Sequence, residues 1–257
     1  MALNPFRSRK PQTQTGFLYA AAAQQDPRFA KAGPGDTIRN AKREAPWLVV
    51  NHTLDDVLVA GWPGTLWEVD VTDALQPQGH AGNYTRAVAV TLIRRLPPHT
   101  LFGPEGEAVA SIVDRAAALT REEAGTLAGN RAAEAGRLYS MAWRNWDGLP
   151  ACKRSFEDWE GVVGSGEGPP SSPVHSGLHA VFKAIAARAV DLDGDAAMIE
   201  EDGPESDLGA HLAEPWATAA LCLIEAAMAV GAPHLLAEQD RAVLTRPWRA
   251  LTGPPRP

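Results

Sequence analysis

The stretch from Trp47 to Leu96 constrains the fold more than any other part of this sequence. It contains three short runs that are rich in β-branched residues or alternate between apolar and polar positions, and Gly or Pro residues bound them. The three runs cover residues 47–50, 64–71 and 86–95. Between the first two, residues 52–60 have the composition of a short helix. We therefore expect a small sheet built in the order strand, helix, strand and strand.

After Pro104 the apolar residues follow the helical period instead. Thr120-Arg-Glu-Glu has the form of a capping box, so a helix should begin there and run to about Arg144. Residues 215–230 are apolar on nearly all sides, which predicts the central helix of this part, and Gly231 can end it in the left-handed conformation. The other predicted helices cover residues 105–119, 173–190 and 233–244. The side chains predicted to be buried in the helices are Leu127, Leu138, Ala142, Leu178, Val181, Phe182, Ile185 and Ala189.

These patterns predict an α+β (or α/β) protein with a small N-terminal sheet region followed by an all-helical C-terminal region. We expect a flexible leader over residues 1–14 and a small mixed α/β sheet domain over residues 15–104. A helical region should cover residues 105–257 and include a linker at residues 145–172, which is rich in Gly and Pro.

The composition narrows the class of protein and the kinds of partner. A chain of 257 residues with 45% hydrophobic and 21% charged residues can bury a substantial core. Its net charge of -7 argues against nucleic acid and anionic membrane as partners, because both require clustered cations. Two cysteines make no disulfide framework, and no apolar signal segment follows the first residues. We expect a soluble, cytoplasmic protein, and the high usage of Ala, Gly, Pro and Arg indicates a GC-rich bacterial genome.

Two sequence patterns resemble metal-binding motifs, and each lacks ligands that the metal requires. The acidic stretch 191–202 resembles a calcium-binding EF-hand loop in its first three acidic positions, but Ala196 replaces the turn glycine and Asp202 replaces the bidentate glutamate. His175 and His179 are four residues apart on a predicted helix, and the sequence offers no clear third ligand for zinc. We therefore predict no metal site.

Tryptophans cluster around the predicted linker. Trp143, Trp146 and Trp159 are interleaved with basic residues, and indole rings beside cations can form stacking and cation–π contacts. This aromatic linker, with the acidic loop, supports one hypothesis of function: a non-catalytic module that binds a protein partner.

The order of elements in residues 17–96 resembles the small ADP-ribosyltransferase fold, in particular the type that modifies rifamycin. The resemblance covers about a third of the chain and excludes the helical region. The matching pieces, in order, are Phe17-Leu-Tyr, Pro34-Gly-Asp, His52-Thr-Leu-Asp-Asp-Val-Leu, Gly64-Thr-Leu-Trp-Glu-Val-Asp-Val and Tyr84-Thr-Arg-Ala-Val-Ala-Val.

The resemblance implies a second hypothesis, in which the sheet region binds NAD or ADP-ribose or transfers ADP-ribose. It implies Tyr19, His52 and Asp73 as catalytic candidates, and Tyr19, Thr53 and Trp67 as cofactor-binding candidates. The sequence departs from the family at the first strand, which carries Tyr19 and no histidine where His-Gly-Thr is expected.

Overall fold

The computed structural model describes residues 14–22, 27–59, 61–75, 83–147, 173–199 and 211–253. The strands are β1 Gln14–Ala21, β2 Thr37–Arg39, β3 Leu48–Asn51, β4 Gly64–Ala74, β5 Tyr84–Leu96, β6 Met198–Ile199 and β7 His211–Leu212. The α-helices are α1 Pro27–Lys31, α2 Gly106–Ala117, α3 Arg121–Asn130, α4 Ala135–Asp147, α5 Pro173–Asp193, α6 Trp216–Gly231 and α7 Glu238–Thr252. Short 3-10 helices cover Pro98–Phe102, Gly194–Ala197 and Pro233–Leu235.

These elements confirm the predicted α+β class, with a small β region that precedes the helices. The predicted C-terminal region is not purely helical, because β6 and β7 form a two-residue antiparallel ladder. Within the described residues, no helix is both long enough and apolar enough to cross a membrane.

Four antiparallel strands close into a small barrel. β4 pairs with β1 and with β5, β5 also pairs with β3, and a contact between Phe17 of β1 and Asn51 of β3 completes the ring. β2 pairs with the part of β5 that continues beyond β3. Register shifts between β4 and β5 mark bulges, which bend the two long strands enough to close so small a barrel.

The barrel interior is apolar because alternate strand positions face inward. Leu18 lies opposite Trp67, and Gly16 lies opposite Val69. A Cβ at Gly16 would lie 2.5 Å from the carbonyl oxygen of Asn51. β1 can therefore approach β3 this closely only because residue 16 is a glycine. The buried residues of this core are Leu18, Phe29, Ile38, Leu48, Val50, Trp67, Val69, Val71, Ala87, Val90 and Leu92.

The helices form a second core around α6, as its apolar sequence predicts. Val109 of α2 lies between two glycines of neighbouring helices, because a Cβ added at Gly177 or at Gly231 would lie 3.0 Å from a Val109 methyl group. Gly231 is therefore the last residue of α6, at a close approach of helices. The prediction that it ends α6 in the left-handed conformation is wrong, since its φ is not positive.

The outer face of β1 and β4 joins the barrel to the helices. Leu66 of β4 belongs to the helical core, and Phe17 and Tyr19 of β1 pack against that core while remaining partly exposed. Because residues 17 and 19 alternate with the inward-facing Leu18, the two faces of β1 serve the two cores.

Several local predictions differ from the structure. Residues 52–59 form turns rather than a helix, because the Asp56 carboxylate accepts hydrogen bonds from the backbone N–H of Thr53 (3.2 Å) and from its hydroxyl (2.7 Å). The capping box at Thr120 is confirmed, since its hydroxyl accepts from the N–H of Glu123 and the Glu123 carboxylate accepts from the N–H of Thr120.

The helix that begins at Arg121 ends at Asn130 instead of reaching Arg144. Two side chains favour this break. Arg246 of α7 donates twice to the Asn130 carbonyl oxygen, and Arg131 turns away to pair with Glu225. The chain then resumes as α4.

The predicted buried side chains of the helices are buried, with one exception. Phe182 is 41% exposed. The last helix covers Glu238–Thr252 rather than residues 233–244. Of the predicted leader, residues 1–13 lie outside the described residues, and Gln14 already belongs to β1. Residues 148–172 of the predicted linker also lie outside them.

Candidate functional site

The structure places the residues implied by the ADP-ribosyltransferase resemblance in separate locations. Tyr19 lies between the barrel and the helices, where its hydroxyl donates to the Gly61 carbonyl oxygen at 2.7 Å. Burial raises the pKa of Tyr19 well above its ordinary value. The tyrosine is therefore a neutral donor that holds the chain at Gly61.

His52 forms part of a polar cluster with Gln14 and Thr85. Its Nε2 lies 2.6 Å from Nε2 of Gln14 and 2.9 Å from the Thr85 hydroxyl, which donates to Oε1 of Gln14 at 3.1 Å. Gln14 is an odd number of residues from Tyr19 on β1, so the two side chains lie on opposite faces of the strand. Thr53 caps the adjacent turn through Asp56.

Asp73 and Trp67 lie apart from both. Asp73 is on the outer face of β4, where hydrogen bonds from Arg39 and Arg43, both at 2.9 Å, hold the pKa of its carboxyl below the usual value. Trp67 is in the barrel interior, 2% exposed. Its indole N–H has no hydrogen-bond partner among the described residues.

A cleft lies where the barrel meets the helices. Its volume is about 440 Å³, which is within the range of small-molecule sites. It lies between the chain segment that enters β4, the C-terminal end of α2 and the second half of α5. The lining residues are Gly61, Trp62, Ala117, Lys183, Ala184, Ala187, Arg188 and Asp191.

The wall of the cleft formed by Gly61 and Trp62 belongs to a well-anchored segment. Besides the bond from Tyr19, the Ser176 hydroxyl donates to the Val57 carbonyl oxygen at 3.1 Å. His179 Nδ1 lies 3.2 Å from the carbonyl oxygen of Val59. Since a carbonyl oxygen only accepts, this nitrogen carries the proton. Groups from β1 and α5 thus fix the backbone that faces the cleft.

The Trp62 ring is held from two further sides. Its indole Nε1 donates to Asp114 of α2 at 2.6 Å. Its ring packs against Phe102, with centroids 5.0 Å apart and planes tilted by 45°. The ring is only partly buried, so a fixed aromatic surface remains at the cleft.

The α5 side of the cleft has an apolar floor between charged groups. Lys183, Ala187 and Asp191 are four residues apart in turn, and therefore lie on one stripe of the helix. Arg188 follows Ala184 by the same spacing. The two alanines leave room above the helix, with the ammonium at one end and the guanidinium and carboxylate at the other.

The two cations of the cleft differ in their bonding. Arg188 donates to the Leu119 carbonyl oxygen at 2.9 Å and to Asp191 Oδ2 at 2.6 Å. The Lys183 ammonium has no hydrogen bond or ion pair with any residue that the structure describes. The cleft therefore holds a positive charge that the protein itself does not balance.

In the described residues, the side chains of the two metal-like sequence patterns do not form a metal site. Asp191 is paired with Arg188, and Asp193 accepts from Arg121 at 3.1 Å and from the Trp216 indole at 2.7 Å. Residues 200–202 of the acidic loop lie outside the described residues. Across the ranges that the structure describes, no group of three His, Cys, Asp or Glu side chains could hold a metal ion.

The aromatic residues near the predicted linker lie on α4 and form a stack with His175 at the start of α5. His175 lies 4.9 Å from Trp143 and 5.0 Å from Trp146, between ring centroids. The two indoles are 5.5 Å apart, and Tyr139 lies 6.1 Å from Trp143. His175 thus belongs to an aromatic stack, while His179 contacts the cleft wall. Trp159 lies outside the described residues.

Comparisons with protein-family models, with curated proteins and with solved structures gave no match. Sequence reasoning identified none of Lys183, Arg188 and Trp62 as site residues. The available signal was weak. The spacing of Lys183, Ala184, Ala187 and Arg188 indicates small residues between two cations on one helix face, a pattern that is common on exposed helices.

Proposed function

We propose that this protein binds a nucleotide of the NAD or ADP-ribose type in the cleft between Trp62 and α5. The observation that carries the proposal is the unbalanced ammonium of Lys183 beside an apolar floor and a fixed aromatic ring. A nucleotide combines anionic phosphates with a flat base, and this site offers a counterpart to each part.

The chemistry of the lining residues supports this ligand class. An ammonium group binds phosphate oxygens by charge-assisted hydrogen bonds, which are stronger than neutral ones. An indole ring stacks with a base, which contributes about 1–3 kcal/mol in nucleic-acid complexes. The alanine floor allows the ligand to approach the helix closely.

ADP-ribosyl transfer is not part of this proposal. The catalytic candidates Tyr19, His52 and Asp73 have separate hydrogen-bond partners, and none of them lines the cleft. Tyr19 contributes indirectly, because it holds the backbone of Gly61.

A thermal-unfolding titration with NAD and with ADP-ribose tests the proposal. Ligand at a hundred times its Kd stabilises a protein by about 2.7 kcal/mol. For a chain of this size, that corresponds to a rise in Tm of roughly 5–10 °C. If neither ligand raises the Tm at millimolar concentration, the proposal is wrong.

Lys183→Gln locates the binding site. Loss of a charge-assisted bond should weaken binding roughly tenfold to a hundredfold, because such bonds contribute about 1.5–3 kcal/mol. Lys42→Gln removes the same charge from an exposed loop residue outside the cleft and should leave binding unchanged. Equal affinities of the two variants would show that the ligand binds elsewhere.

The aromatic stack favours a second candidate function, a non-catalytic role in binding a protein partner. Trp143 and Trp146 are partly buried beside His175, and tryptophan is enriched among the residues that carry most of the binding energy at protein interfaces. This candidate predicts no Tm shift with either nucleotide. It also predicts that Trp146→Ala abolishes partner binding while Trp248→Ala, at a partly buried tryptophan on α7, retains it.

A further inference from the structure

We infer that Asp191 makes the cleft select nucleotides with free ribose hydroxyls over nucleotides that carry a phosphate on the ribose. The inference rests on the proposed function, and it assigns an orientation to the bound ligand. The phosphates face Lys183 and the ribose diol faces Asp191.

The stripe of α5 that faces the cleft is electrically polarised. Lys183 and Asp191 are eight residues apart, which places them about 12 Å apart along the helix axis. The lysine end carries an unbalanced positive charge. At the other end, the charge of Arg188 is already balanced by Asp191, at 2.6 Å. A phosphate group therefore gains most at Lys183.

The Asp191 carboxylate can accept from a diol. Its Oδ2 receives the bond from Arg188, while Oδ1 receives no hydrogen bond from any residue within the described ranges. The side chain is 66% exposed, so a ligand can reach the open oxygen. An ionised carboxylate only accepts hydrogen bonds, and a ribose hydroxyl can donate one.

A ribose phosphate at the same position has the opposite effect. It has no proton to donate when fully ionised, and its negative charge would lie against that of Asp191. The Arg188 guanidinium is held between Asp191 and the Leu119 carbonyl oxygen, so the N–H groups that it could still offer to a phosphate lie beside the Asp191 carboxylate. Like charges placed side by side disfavour the ligand that carries the ribose phosphate.

Calorimetric titration of the full chain with NAD and with NADP, which differ by one ribose phosphate, tests the inference. We expect NADP to bind the wild type at least about tenfold more weakly than NAD, a difference of about 1.4 kcal/mol. Asp191→Asn should tighten NADP binding until the two affinities agree within about threefold, because the amide removes the charge and keeps an accepting oxygen. NAD affinity should fall severalfold, because the ribose hydroxyl then donates to a neutral amide oxygen instead of an ionised carboxylate.

Asp195→Asn is the matched control. It makes the same change of charge four residues away, at an exposed residue that does not line the cleft. It should leave the ratio of NAD affinity to NADP affinity at its wild-type value.

Equal affinities of the wild type for NAD and NADP would overturn the inference and leave the proposal of nucleotide binding standing. If Asp191→Asn loses the same factor of affinity for both ligands, Asp191 has only a structural role, and the inference is also overturned. If neither ligand binds the wild type, the proposed function itself fails.

Discussion

The barrel and the helical part bury polar groups in different ways. In the helical core, Glu225 is 1% exposed in the middle of apolar α6, and Arg131 pairs with its carboxylate. Trp216, which is fully buried, donates its indole N–H to Asp193. In the barrel core the corresponding indole, Trp67, has no partner among the described residues.

Geometry explains this difference. Neighbouring helices are connected by loops whose side chains can enter the core from its edge, as Arg131 does between α3 and α4. The interior of a small barrel is reached only by alternate side chains of its own strands. A polar group placed there must find its partner within a small set of neighbours, and Trp67 has mostly apolar ones. The helical part therefore holds a buried charge together with its partner, whereas the barrel leaves the Trp67 N–H without a partner among the described residues.

The largest expected effect follows from the ion pair. Arg131→Met would leave the Glu225 carboxylate buried without its partner, so the free energy of unfolding should fall by about 3–5 kcal/mol. Urea denaturation measures this change. The double variant Arg131→Met with Glu225→Leu removes both charges and should recover most of the loss. A single variant as stable as the wild type would show that the pair is not needed.

The second prediction compares close approaches in the two parts. An added Cβ at Gly16 meets the Asn51 carbonyl oxygen at 2.5 Å, and the backbone where the barrel closes cannot easily move. Gly16→Ala should therefore cost about 1–3 kcal/mol. Gly231→Ala meets a Val109 methyl group at 3.0 Å, and alanine is the better helix former by about 1 kcal/mol. Its net effect should be smaller than about 1 kcal/mol. Equal losses in urea denaturation would contradict the comparison.

The strands and most helices could be predicted because their signals are local. The alternation in residues 64–71 and the capping box at Thr120 each depend on neighbouring residues alone. The turns at 52–59 and the end of α3 depend on distant partners: Asn83 donates to Asp56, and Arg246 donates to Asn130. No local pattern contains that information.

The candidate site was missed for the same reason. Lys183 and Arg188 have the spacing of ordinary helix-surface cations, and they line a cleft only because the segment before β4 lies against α5. Tyr19 was predicted as a catalytic and cofactor-binding residue, but a motif compared piece by piece does not show which face of a strand a side chain occupies. The pairing of β1 with β4 decides that Tyr19 faces the helices.

The third prediction tests the two buried indoles directly. Trp216→Phe removes a hydrogen bond to a carboxylate and leaves Asp193 with one partner fewer, so it should cost about 2–4 kcal/mol when the lost ring volume is included. Trp67→Phe also loses ring volume, but it removes an unpaired N–H whose burial already costs about 1–3 kcal/mol. Its net effect should lie within about 1 kcal/mol of zero. If the two variants lose the same stability, the indole N–H of Trp67 has a partner after all.

The smallest effect is expected on the barrel surface, where polar groups remain in contact with water. Arg39 on β2 reaches across Ala89 of β5 to Asp73 on β4, and Arg43 binds the same carboxylate. These bonds hold the pKa of Asp73 below its ordinary 3.8. Their contribution to stability is therefore present above that pH and is lost as the pH falls below it, because the protonated carboxyl attracts the guanidinium groups less.

Asp73→Asn should consequently destabilise the protein slightly at neutral pH, and this loss should shrink as the pH falls below 3.8. Urea denaturation of wild type and variant between pH 7 and pH 3 measures the difference. High salt should also reduce it, since exposed charges are screened. Asp36→Asn is the control, because the Asp36 carboxylate has no ion pair with an arginine among the described residues and accepts instead from the N–H of Gly33. If the free energies of unfolding of the wild type and Asp73→Asn differ by the same amount at every pH, Asp73 acts through its shape and hydrogen bonds rather than through its charge.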